Sequence, residues 1–379
     1  MKRKLQHNRI IISGGGTGGH VFPAISIANA LKLKRQELDI LFVGAKGKME
    51  MKKVPEAGYP IEGLPVTGLH RGLSFRNVVF IIKLFRSLFI AGRIIRRFQP
   101  SVVVGVGGYA SAPVLWCASK RGIPALIQEQ NSFAGITNKI LGKKAEKICV
   151  AYENMDKYFP GNKIVFTGNP VRQDLDKLEK RKEEALKYFG LENKPEIVLV
   201  LGGSGGARTI NESIKTDLDR IKNENICIIW QTGEFYHKKA EEAMLLSGVE
   251  NVKLFPFINR MDLAYSAADV IVSRAGAGTI SELYLVGKPV ILVPSPNVAE
   301  DHQTKNAQVM VKNRAAIMVK DSEAGETLLN TVLELSADMK KKELLSLNIR
   351  KMIIRNSADL IADEVLSLIN SQINQKGKR

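Results

Sequence analysis

Ile10-Ile11-Ile12-Ser13-Gly14-Gly15-Gly16-Thr17-Gly18-Gly19-His20 is a β-branched run that stops in five glycines within six residues. The run predicts a buried strand, and the glycines predict a tight turn into a helix. Residues without a Cβ let backbone N–H groups come close to an oxyanion at a helix N-terminus. The same grammar returns in Ile197-Val198-Leu199-Val200-Leu201-Gly202-Gly203-Ser204-Gly205-Gly206, where a diphosphate is a natural ligand. A third glycine cluster, Gly105-Val106-Gly107-Gly108-Tyr109, follows an apolar run at 101–104. A fourth strand-to-helix joint reads Ser273-Arg274-Ala275-Gly276-Ala277-Gly278-Thr279-Ile280-Ser281-Glu282.

Outward from these turns, short apolar runs alternate with helical patterns. In the first half the predicted strands are 9–13, 39–43, 101–104, 125–128, 147–151 and 163–166; in the second they are 197–201, 226–230, 252–255, 270–273, 290–293 and 316–319. Continuous apolar runs between helices imply parallel strands covered on both faces. The expected fold class is therefore α/β, with two doubly wound, Rossmann-like parallel-sheet domains facing across a cleft. Gly168-Asn169-Pro170-Val171-Arg172 punctuates the chain between the halves, predicting domains at 1–170 and 171–354. The length, 379 residues, suits two domains.

Several classes are disfavoured. A dinucleotide fingerprint asks for an acidic residue at the end of the second strand, but that strand ends Val43-Gly44-Ala45-Lys46. No Gly-Lys-Ser/Thr follows the first turn, so it is not a P-loop. Cys117, Cys149 and Cys227 lack metal-ligand spacing and read as small buried residues, and no metal site is expected. Met1-Lys2-Arg3-Lys4 leads straight into a strand-like stretch, which predicts no signal peptide. The formal net charge of +18 predicts a polyanionic partner. No recognition helix or aromatic RNA-binding motif is visible, which disfavours nucleic acid.

The charge is unevenly placed. From Glu62 to Glu129 no acidic residue intervenes, while Arg71, Arg76, Lys83, Arg86, Arg93, Arg96, Arg97, Lys120 and Arg121 do. On a helical projection of 76–98, Phe80, Ile81, Leu84, Phe85, Leu88, Ala91, Ile95 and Phe98 share one face, the expected buried one. Arg76, Lys83, Arg86, Arg93 and Arg97 fall opposite, with Val79, Ile90 and Ile94 among them. This mixture predicts docking on an anionic membrane surface, and its charges argue against a spanning helix. The lysines at 340–342 read as a solvated helix face.

Single polar residues at the turns have two readings each. His20 is either a general base or a histidine that braces the glycine turn. Glu282 either complements the dipole of its helix or accepts hydrogen bonds from ribose hydroxyls. Glu129-Gln130-Asn131 ends a strand, Asp301-His302-Gln303-Thr304-Lys305-Asn306 follows a strand and a proline loop, and both read as polar recognition.

Together these blocks resemble the MurG-like peptidoglycan N-acetylglucosaminyltransferases of glycosyltransferase family 28. The resemblance rests on Gly15–Pro23, Gly107-Gly108-Tyr109, Gln128–Asn131, Ala134-Gly135, Thr137–Lys139, Gly168–Arg172, Gly202–Ser204, Gly206–Arg208, Phe257-Ile258, Met261, Ser273–Glu282, His302-Gln303 and Asn306-Ala307, in family order. It implies the GT-B fold, with a last helix, about 355–379, packing back on the first domain. It implies metal-free, cofactor-free, inverting transfer of GlcNAc from UDP-GlcNAc to the C4 hydroxyl of lipid I, making lipid II for peptidoglycan. By motif, the donor contacts are Thr17, Gly18, Gly19, Asn131, Arg172, Ser204, Ile258 through its backbone, Ala277, Gly278, Thr279, Ile280, Ser281, Glu282 on the ribose, and Gln303. Gly14, Gly15, Gly16, Gly107, Gly108 and Tyr109 are candidates for the acceptor diphosphate, and Arg172 or Arg274 for the cation at the leaving group. Other cell-wall synthesis and division proteins are implied partners, and the cytoplasmic face of the bacterial plasma (inner) membrane is the implied location. Gly205 departs from the pattern, since many members carry a bulkier polar residue there. A diacylglycerol glycosyltransferase of the same family is the nearest rival.

Overall fold

The computed structural model describes residues 9–67, 75–171, 181–192, 196–203 and 205–377. The chain divides into two units, Met1–Val171 with Ile354–Arg379, and Arg172–Ile353.

In the first unit the order is β1 (Arg9–Gly14), α1 (Gly18–Lys34), β2 (Asp39–Ala45), α2 (Glu50–Glu56), β3 (Ile61–Leu64), α3 (Phe75–Phe98), β4 (Val102–Gly107), α4 (Ser111–Ser119), β5 (Ala125–Glu129), α5 (Ile136–Gly142), β6 (Lys147–Val150) and β7 (Ile164–Phe166). The strands form one parallel sheet in the order β3-β2-β1-β4-β5-β6-β7. The order reverses direction between β1 and β4. Loops leaving the C-terminal ends of such a strand pair diverge to opposite faces and leave a crevice, where open α/β sheets bind ligands.

The second unit holds α6 (Lys182–Phe189), β8 (Ile197–Leu201), α7 (Arg208–Thr216), α8 (Leu218–Ile221), β9 (Cys227–Gln231), α9 (Glu234–Ser247), β10 (Val252–Phe255), α10 (Met261–Ala267), β11 (Val270–Ser273), α11 (Ala277–Val286), β12 (Val290–Leu292), α12 (His302–Lys312), β13 (Ile317–Met318), α13 (Ala324–Ala337) and α14 (Met339–Lys351). Its sheet is also parallel, in the order β10-β9-β8-β11-β12-β13, and reverses between β8 and β11. Both units are therefore Rossmann-like, as the GT-B fold requires.

The last helix, α15 (Ser357–Gly377), packs on α1 of the first unit. Ile361, Ala362, Val365, Leu366 and Ile369 are buried in the same apolar cluster as Ile10, Ile12, Ile27 and Leu31. The ion pair Lys34–Asp363, at 2.8 Å, sits at the edge of this contact.

One strand has no counterpart among the predicted ones. β3 reads Ile61-Glu62-Gly63-Leu64, and its glutamate and glycine hide it from a search for β-branched runs. The predicted buried face of α3 also needs correction. Ala91 and Ile95 are buried, but Ile81 and Phe85 are 50% and 68% exposed. Ile94, expected on the outer face among the cations, is buried instead. A helical projection ranks positions around the axis; it does not say which arc the neighbouring α4 and β3 cover.

Candidate active site

The four glycine-bearing joints leave the four strands that flank the two reversal points. Gly14 ends β1 and Gly15-Gly16 follow it, Gly107 ends β4 and Gly108 follows it, Gly202–Gly206 follows β8 and Ala275–Gly278 follows β11. Local sequence alone makes each a turn; the sheet order brings them together in pairs.

In the first unit the pair is in backbone contact. A Cβ on Gly108, whose φ is +82°, would lie 2.2 Å from the carbonyl oxygen of Gly15. A Cβ on Gly107, at φ +96°, would lie 2.8 Å from Nε2 of His20 and 3.5 Å from Oε1 of Gln130. Glycine at 107 therefore opens the space that the imidazole edge faces. His20 sits in the first turn of α1, and its Nδ1 is 3.3 Å from Oγ1 of Thr17. α1 has no side-chain cap and no acidic residue in its first turn, so its N-terminal amides and dipole favour an anion. Thr17 and Gly19 are exposed and Gly18 half-buried. Tyr109, beyond the third glycine cluster, is 59% exposed.

A buried polar network supports this edge. Gln128 donates to Asn169 at 2.8 Å, Asn169 donates to the Gln130 carbonyl at 2.9 Å, and Gln130 donates to the Val106 carbonyl and to Gln128. Glu129 accepts from the backbone N–H groups of Asn131 and Gly135 and from the side chains of Asn131 and Asn138. Burial pushes its carboxyl above the usual range, and the bonds from Asn138, Asn131 and Gly135 pull the other way. Glu129 thus organises the loop that presents Asn131.

Sequence reasoning missed Glu50. No carboxylate closes β2, yet Glu50, at the start of α2, turns inward and is 1% exposed. Its Oε2 accepts from Gly16 N–H at 2.9 Å, and its Oε1 accepts from Ala45 N–H at 2.8 Å. This corrects the diphosphate assignment at one atom: the Gly16 amide is already engaged.

In the second unit, Gly206 packs so tightly that a Cβ would meet the Thr232 carbonyl oxygen at 2.2 Å. α7 and α11 start after the two glycine joints, with no side-chain cap and no acidic residue in the first turn. Ala277, Gly278, Thr279, Ile280 and Ser281 form the opening of α11, where the Ser281 hydroxyl donates back to the Ala277 carbonyl. Glu282 is half-buried and accepts from the Tyr265 hydroxyl at 2.9 Å. Gln303 accepts through Oε1 from the N–H groups of Ala275 and Ser295, at 3.3 and 2.9 Å, and so ties its helix to the turn after β11. The Ile258 N–H donates to the Gln231 side-chain oxygen at 2.9 Å. Arg274 is committed elsewhere: it pairs with Asp321 and donates to the Val293 carbonyl. One nitrogen of its guanidinium is thereby held by the protein. Arg172 and Ser204 lie outside the described residues. Among the described residues, no group of three or more His, Cys, Asp or Glu is arranged to hold a metal ion.

On α3, Lys83 is half-buried while Arg86, Arg93 and Arg97 are exposed. Arg97 pairs with Glu62, and the Arg93 guanidinium lies 5.9 Å from the Phe89 ring centre. Ile90 is half-buried. The most exposed apolar groups on the helix are Ile82, Phe85 and Phe89, at 62%, 68% and 67% exposure, with Ile81 and Val79 exposed beside them. They lie on the arc assigned in part to the core, which is why the projection missed them. No described helix is long and apolar enough to cross a membrane.

Residues 10–150 match the glycosyltransferase family 28 N-terminal domain, and residues 197–363 match its C-terminal domain. The chain belongs to glycosyltransferase family 28. The UDP-N-acetylglucosamine--N-acetylmuramyl-(pentapeptide) pyrophosphoryl-undecaprenol N-acetylglucosamine transferase of Parabacteroides distasonis is 56% identical, over 96% of this chain and 99% of that one. The transferase of the same name from Bacteroides fragilis is 54% identical, over 95% of each. Among solved structures, MurG of Acinetobacter baumannii superposes with a TM-score of 0.76 at 28% identity, over 95% of this chain and 99% of that one. This family 28 member is a glycosyltransferase built from two Rossmann-like units.

Proposed function

We propose that this family 28 enzyme transfers GlcNAc from UDP-GlcNAc to the C4 hydroxyl of the MurNAc residue in lipid I, with inversion, to give lipid II. The observation that carries the proposal is the pairing of glycine turns and uncapped helix N-termini at the reversal point of each sheet, in a chain with full-length relatives of that name.

The second unit takes the nucleotide of the donor. Glu282, steadied by Tyr265, accepts from the ribose hydroxyls, and the Ile258 carbonyl meets the uracil. Gln303 uses its oxygen on the protein and has its amide group to offer the sugar. The amides opening α7 and α11 face the diphosphate. As the sugar–phosphate bond breaks, negative charge grows on UDP, and fixed N–H dipoles stabilise it without reorganising. Arg172 stands as the cation at this point. Charge on the leaving group is met here by backbone and arginine rather than by a metal, so turnover should persist in EDTA.

In the first unit, Thr17 and Gly107 flank the imidazole of His20; Thr17, Gly18 and Gly19 stand as donor contacts, and Gly107, Gly108 and Tyr109 as contacts to the acceptor diphosphate. The acceptor hydroxyl attacks the anomeric carbon, the bond to UDP breaks, and His20 takes the hydroxyl proton. His20→Ala should cut turnover by about 100-fold while leaving UDP-GlcNAc binding intact; near-normal turnover would remove His20 as the base. Ile82, Phe85 and Phe89, beside Arg86 and Arg93, support docking on an anionic membrane, where a lipid-linked acceptor resides. The cytoplasmic leaflet is the proposed location.

The deciding assay offers labelled UDP-GlcNAc with lipid I or with diacylglycerol. Product from lipid I alone is expected; product from diacylglycerol alone would overturn the acceptor assignment.

A further inference from the structure

The first glycine turn reads as an anion site, yet the structure already provides it with an anion. Glu50 is 1% exposed, and its two oxygens accept from Gly16 and Ala45, the residues that follow β1 and end β2. The room for it comes from two glycines. A Cβ on Gly15 would fall 2.2 Å from Oε1, and a Cβ on Gly44 would fall 2.5 Å from Cγ. Gly15 and Gly44 are therefore needed to house a carboxylate of the protein, whatever the turn does for a ligand. A second link, from the Ser13 hydroxyl to the Val43 carbonyl at 3.0 Å, joins β1 and β2 just before these ends.

We infer that Glu50 is a positioning residue for the transfer reaction: it fastens the Gly14–Gly16 turn to the end of β2 and so fixes where Thr17 and His20 stand. The inference rests on the proposed role of the turn in the reaction. Its logic is geometric. Gly16 is followed directly by Thr17, whose carbonyl accepts from the N–H groups of His20 and Val21. A turn held at Gly16 therefore sets the start of α1 and the imidazole with it. Glycines at 14, 15 and 16 would otherwise leave the approach to α1 with wide conformational freedom. A carboxylate suits the task because it accepts twice and donates nothing. A glutamine of equal size offers one acceptor and one N–H₂ group, so one of the two backbone N–H groups must face another donor.

The test compares Glu50→Gln and Gly44→Ala with wild type. Gly44→Ala keeps the carboxylate but forces Glu50 off its seat, so it should reproduce the Glu50→Gln effect by a different route. Misplacing a reacting group by about 1 Å costs on the order of 100-fold, so kcat with lipid I should fall by that order in both variants. The affinity for UDP should not change, since the proposed ribose and uracil contacts, Glu282 and Ile258, belong to the second unit. Hydrogen exchange at the Gly16 and Ala45 amides should quicken in both. Pure packing would be rescued by the isosteric glutamine, so wild-type kcat in Glu50→Gln would overturn the inference. So would a loss of kcat that disappears when rates are expressed per folded molecule. A wild-type chain inert toward lipid I would instead sink the proposed function. Unchanged Gly16 exchange in Glu50→Gln would sink the fastening role by itself.

Discussion

Glu282 shows how one side chain acquires a role from its support. The opening of α11 already has a dipole but no acidic residue in its first turn, so the carboxylate is not a cap. The Tyr265 hydroxyl, buried in the core of the second unit, occupies one of its oxygens and directs the group. A hydrogen bond to a charged group contributes about 1.5–3 kcal/mol, so Glu282→Ala should raise KM for UDP-GlcNAc by roughly 10- to 100-fold. Tyr265→Phe should raise it less, since the carboxylate remains. Titration of UDP against each variant checks the order. Asp262 carries a separate prediction, about stability. Arg260 beside it holds its carboxyl down at about 2, with help from Leu263 N–H and Arg181. The folded value lies below the ordinary 3.8, so the stabilisation is complete above that value and is lost as pH falls toward about 2. The shift corresponds to about 2 kcal/mol. In urea unfolding, Asp262→Asn should be less stable than wild type at neutral pH, and the gap should close between pH 4 and pH 2. A gap independent of pH would refute the assignment.

At the scale of the element, α3 separates two roles that its composition blends. Ala91, Ile94 and Ile95 are buried, while Ile82, Phe85 and Phe89 face outward beside Arg86 and Arg93. Replacing Phe85 and Phe89 with serine should weaken binding to anionic vesicles without lowering the melting temperature. Ile94→Ala should do the reverse, costing about 2–5 kcal/mol of stability while the folded fraction still binds vesicles. Vesicle flotation and thermal melting, run on both variants, distinguish the roles; vesicle binding untouched by the serines would end the membrane assignment for this face. The helix also shows where sequence stops being legible. Strands such as β8, β10 and β11 could be read to the residue because short runs rich in apolar and β-branched residues end sharply at Gly202, Pro256 and Arg274. The glycine turns were legible because each needs unusual backbone freedom close to a strand end. The outward arc of α3 was not, because it depends on which neighbours pack against it. Glu50 was not, because its partners are backbone N–H groups brought to it by β1 and β2 lying side by side. Nothing in the letters Lys48-Met49-Glu50 marks that destination.

The two units differ in how the chain closes them, and that gives a prediction for the molecule as a whole. The second unit is continuous in sequence, whereas the first borrows α15 from the far end of the chain. Four large side chains of α15, Ile361, Val365, Leu366 and Ile369, fill the first unit's core. At about 1.5–3 kcal/mol each, their removal approaches the whole stability of an ordinary domain, about 5–15 kcal/mol. Ending the chain at Ile353 should therefore abolish the first unit's cooperative unfolding transition and transfer to lipid I with it. No described side chain of α15 belongs to the second unit's core clusters. Its transition should survive, and UDP at about 100 times its Kd should still stabilise it by roughly 2.7 kcal/mol, because ligand linkage acts only on the state that binds. Differential scanning calorimetry of the full and shortened chains, with and without UDP, reads both effects. A shortened chain that keeps the first transition would show that α15 is dispensable to that core. One that loses the UDP-dependent shift would show that donor binding needs more than the second unit.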